Sequence, residues 1–149
     1  TSGCYTSPHL TDIRERITLN GQIVAKSTFT QSASLVLKIA RGYKGNPYLS
    51  YFDVLTAIAF HAFMTERMDW VVLETGLGGL ADSTNVTAKE LCVLTRVGLD
   101  HQEVLGNSLQ EIAAEKMKMR ILECRGLRFR DIFSAEEENT KDLAREFSF

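Results

Sequence analysis

Residues 1–6 read as the end of a strand that enters a loop at Ser7-Pro8. A residue before proline is pushed out of the helical region, so Ser7 is expected to be extended. Over 13–19, Ile13, Glu15, Ile17 and Leu19 alternate with Arg14, Arg16 and Thr18. That two-residue period predicts one strand with a charged outer face. Asn20-Gly21, followed by Gln22-Ile23-Val24, predicts a tight hairpin, because both turn positions need positive φ.

Ser27 is read as the cap of a helix running to about Ala40, broken by the stretch 42–47. The strongest helical stripe follows, with Phe52, Leu55, Ala59, Ala62 and Phe63 on one face. Trp70–Leu73 is a short apolar run that predicts a buried strand, and it ends in Glu74-Thr75-Gly76-Leu77-Gly78-Gly79. Residues 91–95 predict a second buried strand, ending in Gly98-Leu99-Asp100-His101. Ser108 and Glu111 form a capping box that opens a helix over 108–119, with Leu109, Ile112, Ala113, Lys116 and Met119 as its stripe. This order predicts an α/β fold with a mostly parallel sheet flanked by helices. Beyond it, Arg125, Arg128 and Arg130 precede a second capping-box pattern at Ser134 and Glu137, read as a solvated helix anchored by Leu143 and Phe147. No repeat or low-complexity linker divides the chain, so one main body over 1–122 and a divergent tail over 123–149 are expected.

Composition narrows the partners. The chain has 149 residues, a length for one domain with a real core, and 44% of them are hydrophobic. The net charge of −2 gives no electrostatic case for nucleic acid or an anionic membrane. Three dispersed cysteines, Cys4, Cys92 and Cys124, fit neither a disulfide framework nor a zinc site, and suggest a reducing compartment. No apolar stretch is long enough for a bilayer, and no signal-peptide pattern is visible. The chain starts at Thr1, inside a motif, and is therefore expected to be a piece of something longer or a processed product.

Several places could carry chemistry. A carboxylate at a strand's C-terminal end, followed by glycines, is where open α/β sheets bind ligands, and Glu74 has that setting. Gly76-x-Gly78-x-x-Ala81 also fits a dinucleotide fingerprint, but 82–87 is rich in poor helix formers, and Glu74 would repel a pyrophosphate unless a cation stood between. Mg²⁺ suits such a place, because one or two carboxylates plus substrate phosphates commonly hold it. The bland alternative is a tight turn with a solvated glutamate. His101 follows an apolar run and could be a metal ligand or an acid/base, or an idle loop histidine. Lys116 lies on an apolar stripe, so it is half-buried with a partner or a changed charge, or it snorkels to water. His9 and His61 are read as surface or half-buried histidines. No Gly-x-x-x-x-Gly-Lys-Ser/Thr occurs anywhere, so the chain has no P-loop of its own for ATP.

Taken together, Tyr5-Thr6-Ser7-Pro8-His9-Leu10, Arg14-Glu15-Arg16-Ile17, Asn20-Gly21 and the run 51–60 resemble the folylpolyglutamate synthase and dihydrofolate synthase family. Glu74-Thr75-Gly76-Leu77-Gly78-Gly79, Asp82-Ser83-Thr84-Asn85, Leu99-Asp100-His101, Leu105-Gly106 and Ile112-Ala113-Ala114-Glu115-Lys116 continue the match in the family's order. The likeness runs from about residue 3 to residue 116, and the family belongs to the Mur ligase superfamily. It implies part of a P-loop-type Mur ligase central domain. It also implies an ATP-dependent ligase that joins glutamate to folate or dihydropteroate through an acyl phosphate, with ATP as co-substrate.

By that resemblance Ser7 and Glu74 ligate Mg²⁺, His101 ligates a second Mg²⁺, and Lys116 is carbamylated into an oxygen ligand. Arg14, Asp82 and Asn85 line the folate site. A monomer in the cytoplasm is implied, with mitochondrion or plastid left open. Leu80 stands where the family usually has arginine, Asp53 where it usually has glutamate, and Met117-Lys118-Met119 where it usually has Ala-Gly-Ile. Without a P-loop or C-terminal domain, the chain alone is expected not to turn over. A non-catalytic remnant of the family and, further off, a dinucleotide-binding oxidoreductase remain as alternatives.

Overall fold

The computed structural model describes residues 1–43 and 48–119, which fall into two compact units, Thr1–Gly76 and one from Leu77 onward. In the first unit, β1 (Ser2–Tyr5) runs antiparallel to β2 (Ile17–Leu19) and parallel to β4 (Trp70–Leu73), while β2 turns into β3 (Gln22–Ile23). The strand order is β3-β2-β1-β4. Gly3 pairs with Val71 and Tyr5 with Leu73, so alternation along both strands places these residues on one face. Tyr5 and Ile17 are completely buried there.

The helices α1 (Lys26–Gly42) and α2 (Tyr51–Thr65) close that face. Helix α2 buries Leu55, Ala59, Ala62 and Phe63 of the stripe read from the sequence, together with Ile58, while Phe52 is only partly buried. Its start is fixed by a capping box in which Ser50 accepts from the Asp53 amide and Asp53 from the Ser50 amide. Gly3 admits the Phe63 ring, because a Cβ there would lie 2.5 Å from Phe63 Cδ1. The helices are also joined by a polar contact of 2.9 Å between Ser32 Oγ and His61 Nδ1.

The expected α/β class holds, with differences in detail. Residues 13–19 are not one strand. Asp12 accepts from the Arg14 amide, Glu15 accepts from the Asp12 amide, and this capping box winds Ile13–Arg16 into a 3₁₀ turn before β2 begins. Ser27 does not cap α1. The cap position is Ala25, and Ser27 lies inside the first turn. Strand β4 forms as expected but is not buried, with Trp70 66% and Val72 64% exposed at the sheet edge. Of the three strand pairings, only β1–β4 is parallel among the described residues.

The hairpin is the expected one, with φ of 50° at Asn20 and 77° at Gly21. A Cβ at Gly21 would meet nothing within 4 Å, so Gly21→Ala carries only a conformational cost. We expect that cost to be about 1 kcal/mol, read as a lower urea midpoint with an unchanged slope.

The second unit contains a 3₁₀ turn (Ser83–Val86), the short helix α3 (Gln102–Leu105) and α4 (Leu109–Lys116). The Ser108–Glu111 capping box is present, and Ile112 and Ala113 are completely buried. Residues 91–95 do not form the expected strand, and Leu91 and Val93 are exposed. A lone strand leaves its backbone without a ladder, and no described strand pairs with this segment. No described helix is long and apolar enough to cross a membrane. The tail over 123–149 lies outside the described residues.

Candidate functional site

Because β1 and β4 are parallel, both chains leave the sheet at the same edge. The pairing continues past the strands: the Glu74 amide donates to the Tyr5 carbonyl at 2.9 Å. Two residues past Tyr5, the Ser7 amide donates to Glu74 Oε2 at 2.7 Å. Ser7 and Glu74, 67 residues apart in sequence, therefore meet. The Ser7 hydroxyl has no hydrogen-bond partner among the described residues. The Cys4 thiol is pushed up in pKa, first by burial and then by the negative charge of Glu74. Gly76 lies against α2, since a Cβ there would lie 2.6 Å from Phe52 Cε1.

A carboxylate and a hydroxyl are hard oxygen donors of the kind Mg²⁺ and Mn²⁺ prefer. The described residues contain no group of three or more His, Cys, Asp or Glu side chains that could hold a metal unaided. The pair therefore fits an ion that completes its shell with water and substrate oxygens, and it does not fit a closed structural site.

The loop over 7–12 is pinned at its far end by Glu15. Its carboxylate accepts from the Leu10 amide at 2.8 Å, the Thr11 amide at 3.2 Å, the Thr11 hydroxyl at 2.7 Å and the Asp12 amide at 2.8 Å. These donors favour the charged form and lower its pKa to about 2. The native carboxyl thus binds its proton more weakly than an unfolded one. The stabilisation is complete above the ordinary value of 4.5 and is lost as pH falls through about 2. The amide resonances of Leu10 and Asp12 are expected to titrate with a midpoint near 2, and Glu15→Gln should remove that titration.

Arg14 is held by the same segment and by the Val24 carbonyl, to which its Nη1 donates at 3.4 Å. Its Nη2 donates to Asp12 Oδ2 at 2.6 Å, and its Nε lies 3.2 and 3.1 Å from the two Asp12 oxygens. Arg16 donates from Nε to His9 Nδ1 at 2.9 Å. Glu15, His9 and Arg16 were not singled out as functional in the sequence. The signal available for Glu15 was the Asp12-x-x-Glu15 spacing of a capping box.

In the second unit, Asp82 closes the glycine loop. Its Oδ2 accepts from the Leu77 amide at 2.8 Å, and its Oδ1 from the Thr84 amide and hydroxyl at 2.9 and 2.5 Å. Asn85 donates to the carbonyls of Leu80 and Lys118 at 3.1 and 3.4 Å, and accepts from Lys89 at 3.1 Å. Gly79 lies against the end of α4, where a Cβ would sit 2.5 Å from the Glu115 oxygen and 2.8 Å from the Lys116 oxygen. Lys116 is half-buried, and no described residue pairs with its ammonium. His101 precedes α3 with a φ of 51°, its ring 3.7 Å from an Asp100 oxygen and 3.9 Å from a Glu103 oxygen. The glycine loop leads into a 3₁₀ turn, so the helix that a dinucleotide fingerprint must open is absent from this place.

No family model matches the chain. Over 120 residues it is 38% identical to the mitochondrial folylpolyglutamate synthase of Bos taurus, covering 77% of this chain and 20% of that protein. The chain thus spans about a fifth of that curated relative's length. A structure of E. coli FolC in complex with DHPP and ADP is 36% identical with a TM-score of 0.72, covering 79% of this chain and 28% of that one. The bifunctional folylpolyglutamate synthase/dihydrofolate synthase of Yersinia pestis, complexed with AMPPNP and a Mn ion, is 32% identical with a TM-score of 0.69. There the match covers 79% of this chain and 28% of that one.

Proposed function

Because the chain belongs to the folylpolyglutamate synthase and dihydrofolate synthase family, we propose that it carries the divalent-metal and folate-side part of an ATP-dependent folate–glutamate ligase site. The observation that carries this reading is the meeting of Ser7 and Glu74 at the C-terminal edge of the parallel pair. Open α/β sheets bind ligands at such edges. The relatives bind an ATP analogue with Mn, or ADP with DHPP, so the ion fits Mg²⁺ or Mn²⁺ and the co-substrate fits ATP.

In this reading Glu74 and Ser7 hold the ion. When bound, it neutralises the phosphate charge that builds up as a substrate carboxylate becomes an acyl phosphate. Glutamate supplies the amine that attacks, and phosphate leaves as the amide forms. His101 serves a second ion. The ammonium of Lys116, half-buried and unpaired among the described residues, suits carbamylation: once deprotonated, the amine adds to CO₂, the N–C bond forms, and a proton is released to solvent. The product is an anionic oxygen ligand. Arg14, Asp82 and Asn85 contribute to the folate side in the same reading, each with polar atoms already engaged by neighbouring protein groups. A cytoplasmic monomer completes the reading. With no P-loop in its sequence, the chain alone forms no ADP.

Mn²⁺ titration of the chain, followed by electron paramagnetic resonance, tests the reading. We expect saturable binding that Ser7→Ala weakens, and tighter binding of Mn²⁺ when a phosphorylated dihydropteroate is present. Binding unaffected by Ser7→Ala would overturn the metal assignment.

A further inference from the structure

Arg16 is a half-buried cation with no carboxylate in ion-pair reach among the described residues. Such a charge is costly unless something balances it. Its surroundings orient it without neutralising it. Its Nε donates to His9 Nδ1 at 2.9 Å, and its guanidinium carbon lies 5.7 Å from the centroid of the Tyr51 ring. An arginine Nε can only donate, so His9 must accept at Nδ1 and carry its proton on Nε2. The guanidinium is therefore fixed by a hydrogen bond on one side and a ring face on another, with its Nη1 and Nη2 groups unspent among the described residues. Among the described residues the His9 Nε2–H is unspent as well.

The position is also telling. The Arg16 carbonyl accepts from the Thr6 amide at 2.9 Å, so Arg16 stands one strand over from the Ser7–Glu74 contact on the ligand-binding edge. A planar fork of nitrogen donors matches the two oxygens of a carboxylate or phosphate. We propose that His9, Arg16 and Tyr51 form an anion subsite that receives a carboxylate or phosphate group of a substrate at this edge. The assignment rests on the reading of that edge as a ligand site, but it does not require the metal. Arg16 supplies the charge and the fork, His9 fixes the fork's direction and adds one donor, and Tyr51 fixes its plane.

Nuclear magnetic resonance of the whole chain tests this, with inorganic phosphate and glutarate as probes against a constant chloride background. The Arg16 Nε–H and His9 ring resonances are expected to shift saturably. Arg16→Lys keeps the charge and loses the fork, and should weaken the probe's affinity about tenfold, the worth of one charge-assisted hydrogen bond. His9→Ala changes a loop residue outside the strands and should weaken it several-fold. Glu74→Gln should weaken Mn²⁺ binding at least about tenfold yet leave the phosphate response. A response no larger than that of Arg41, or one that Arg16→Lys and His9→Ala leave unchanged while Mn²⁺ still binds, would overturn the subsite alone. The two probes separate the ligand sources: a phosphate-only response assigns the subsite to a phosphoryl group, and a response to both assigns it to oxyanions in general.

Discussion

Glu74→Gln is expected to weaken Mn²⁺ binding by at least 10- to 100-fold, roughly the range seen even when the partners of a ligand are lost. The amide keeps the shape of the carboxylate, and its oxygen can still accept from the Ser7 amide, so the loop stays in place. What disappears is the negative charge, the largest contribution a hard cation draws from this pair. Ser7→Ala removes a neutral ligand and should cost less. Cys4 gives an internal check that needs no metal. The Glu74 charge and burial both hold its thiol pKa up. With Glu74 neutralised, that pKa moves down toward the ordinary value, more thiolate is present at pH 8, and iodoacetamide alkylation speeds up. Loss of metal binding without faster alkylation would mean that the substitution displaced the loop.

Gly79→Ala should destabilise the second unit by roughly 1–3 kcal/mol, the usual cost of forcing a methyl into filled space. The obstruction is the backbone carbonyls of Glu115 and Lys116, 2.5 and 2.8 Å from the new carbon, and no rotamer change moves them aside. Relief requires the end of α4 to shift, and Lys116 with it. Gly98→Ala is the control, because a Cβ there meets nothing within 4 Å. Urea unfolding that separates the two variants by about 1 kcal/mol or more bears the argument out. Equal midpoints would show that the loop does not lie against α4 in solution.

The legible parts of the chain share one property, in that their signal is local. The α2 stripe and the Asn20-Gly21 hairpin depend on residues within a few positions of one another, and both stand where expected. The capping box at Asp12 and Glu15 is also local, but the alternation over 13–19 masks it. Apolar runs are ambiguous for another reason. Trp70–Leu73 and 91–95 are both largely apolar, yet among the described residues only the first finds a partner strand, and that partner lies at the other end of the unit. Ser7 and Glu74 were each visible as chain exits from strands, and family blocks marked both. Their contact depends on the β1–β4 register, which no local pattern encodes. His9 and Arg16 escaped because a lone histidine and one arginine on an outer face carry no signal until a loop folds back.

The first turn of α2 presses on two places at once. Phe52 lies against Gly76 and stacks near Tyr5 at 5.7 Å between ring centroids, while its neighbour Tyr51 lies against the Arg16 guanidinium. Consecutive helical residues point about 100° apart, so the turn works as a rigid crank with two arms. Rolling α2 to free the chain beneath Phe52 necessarily swings the phenol across the guanidinium.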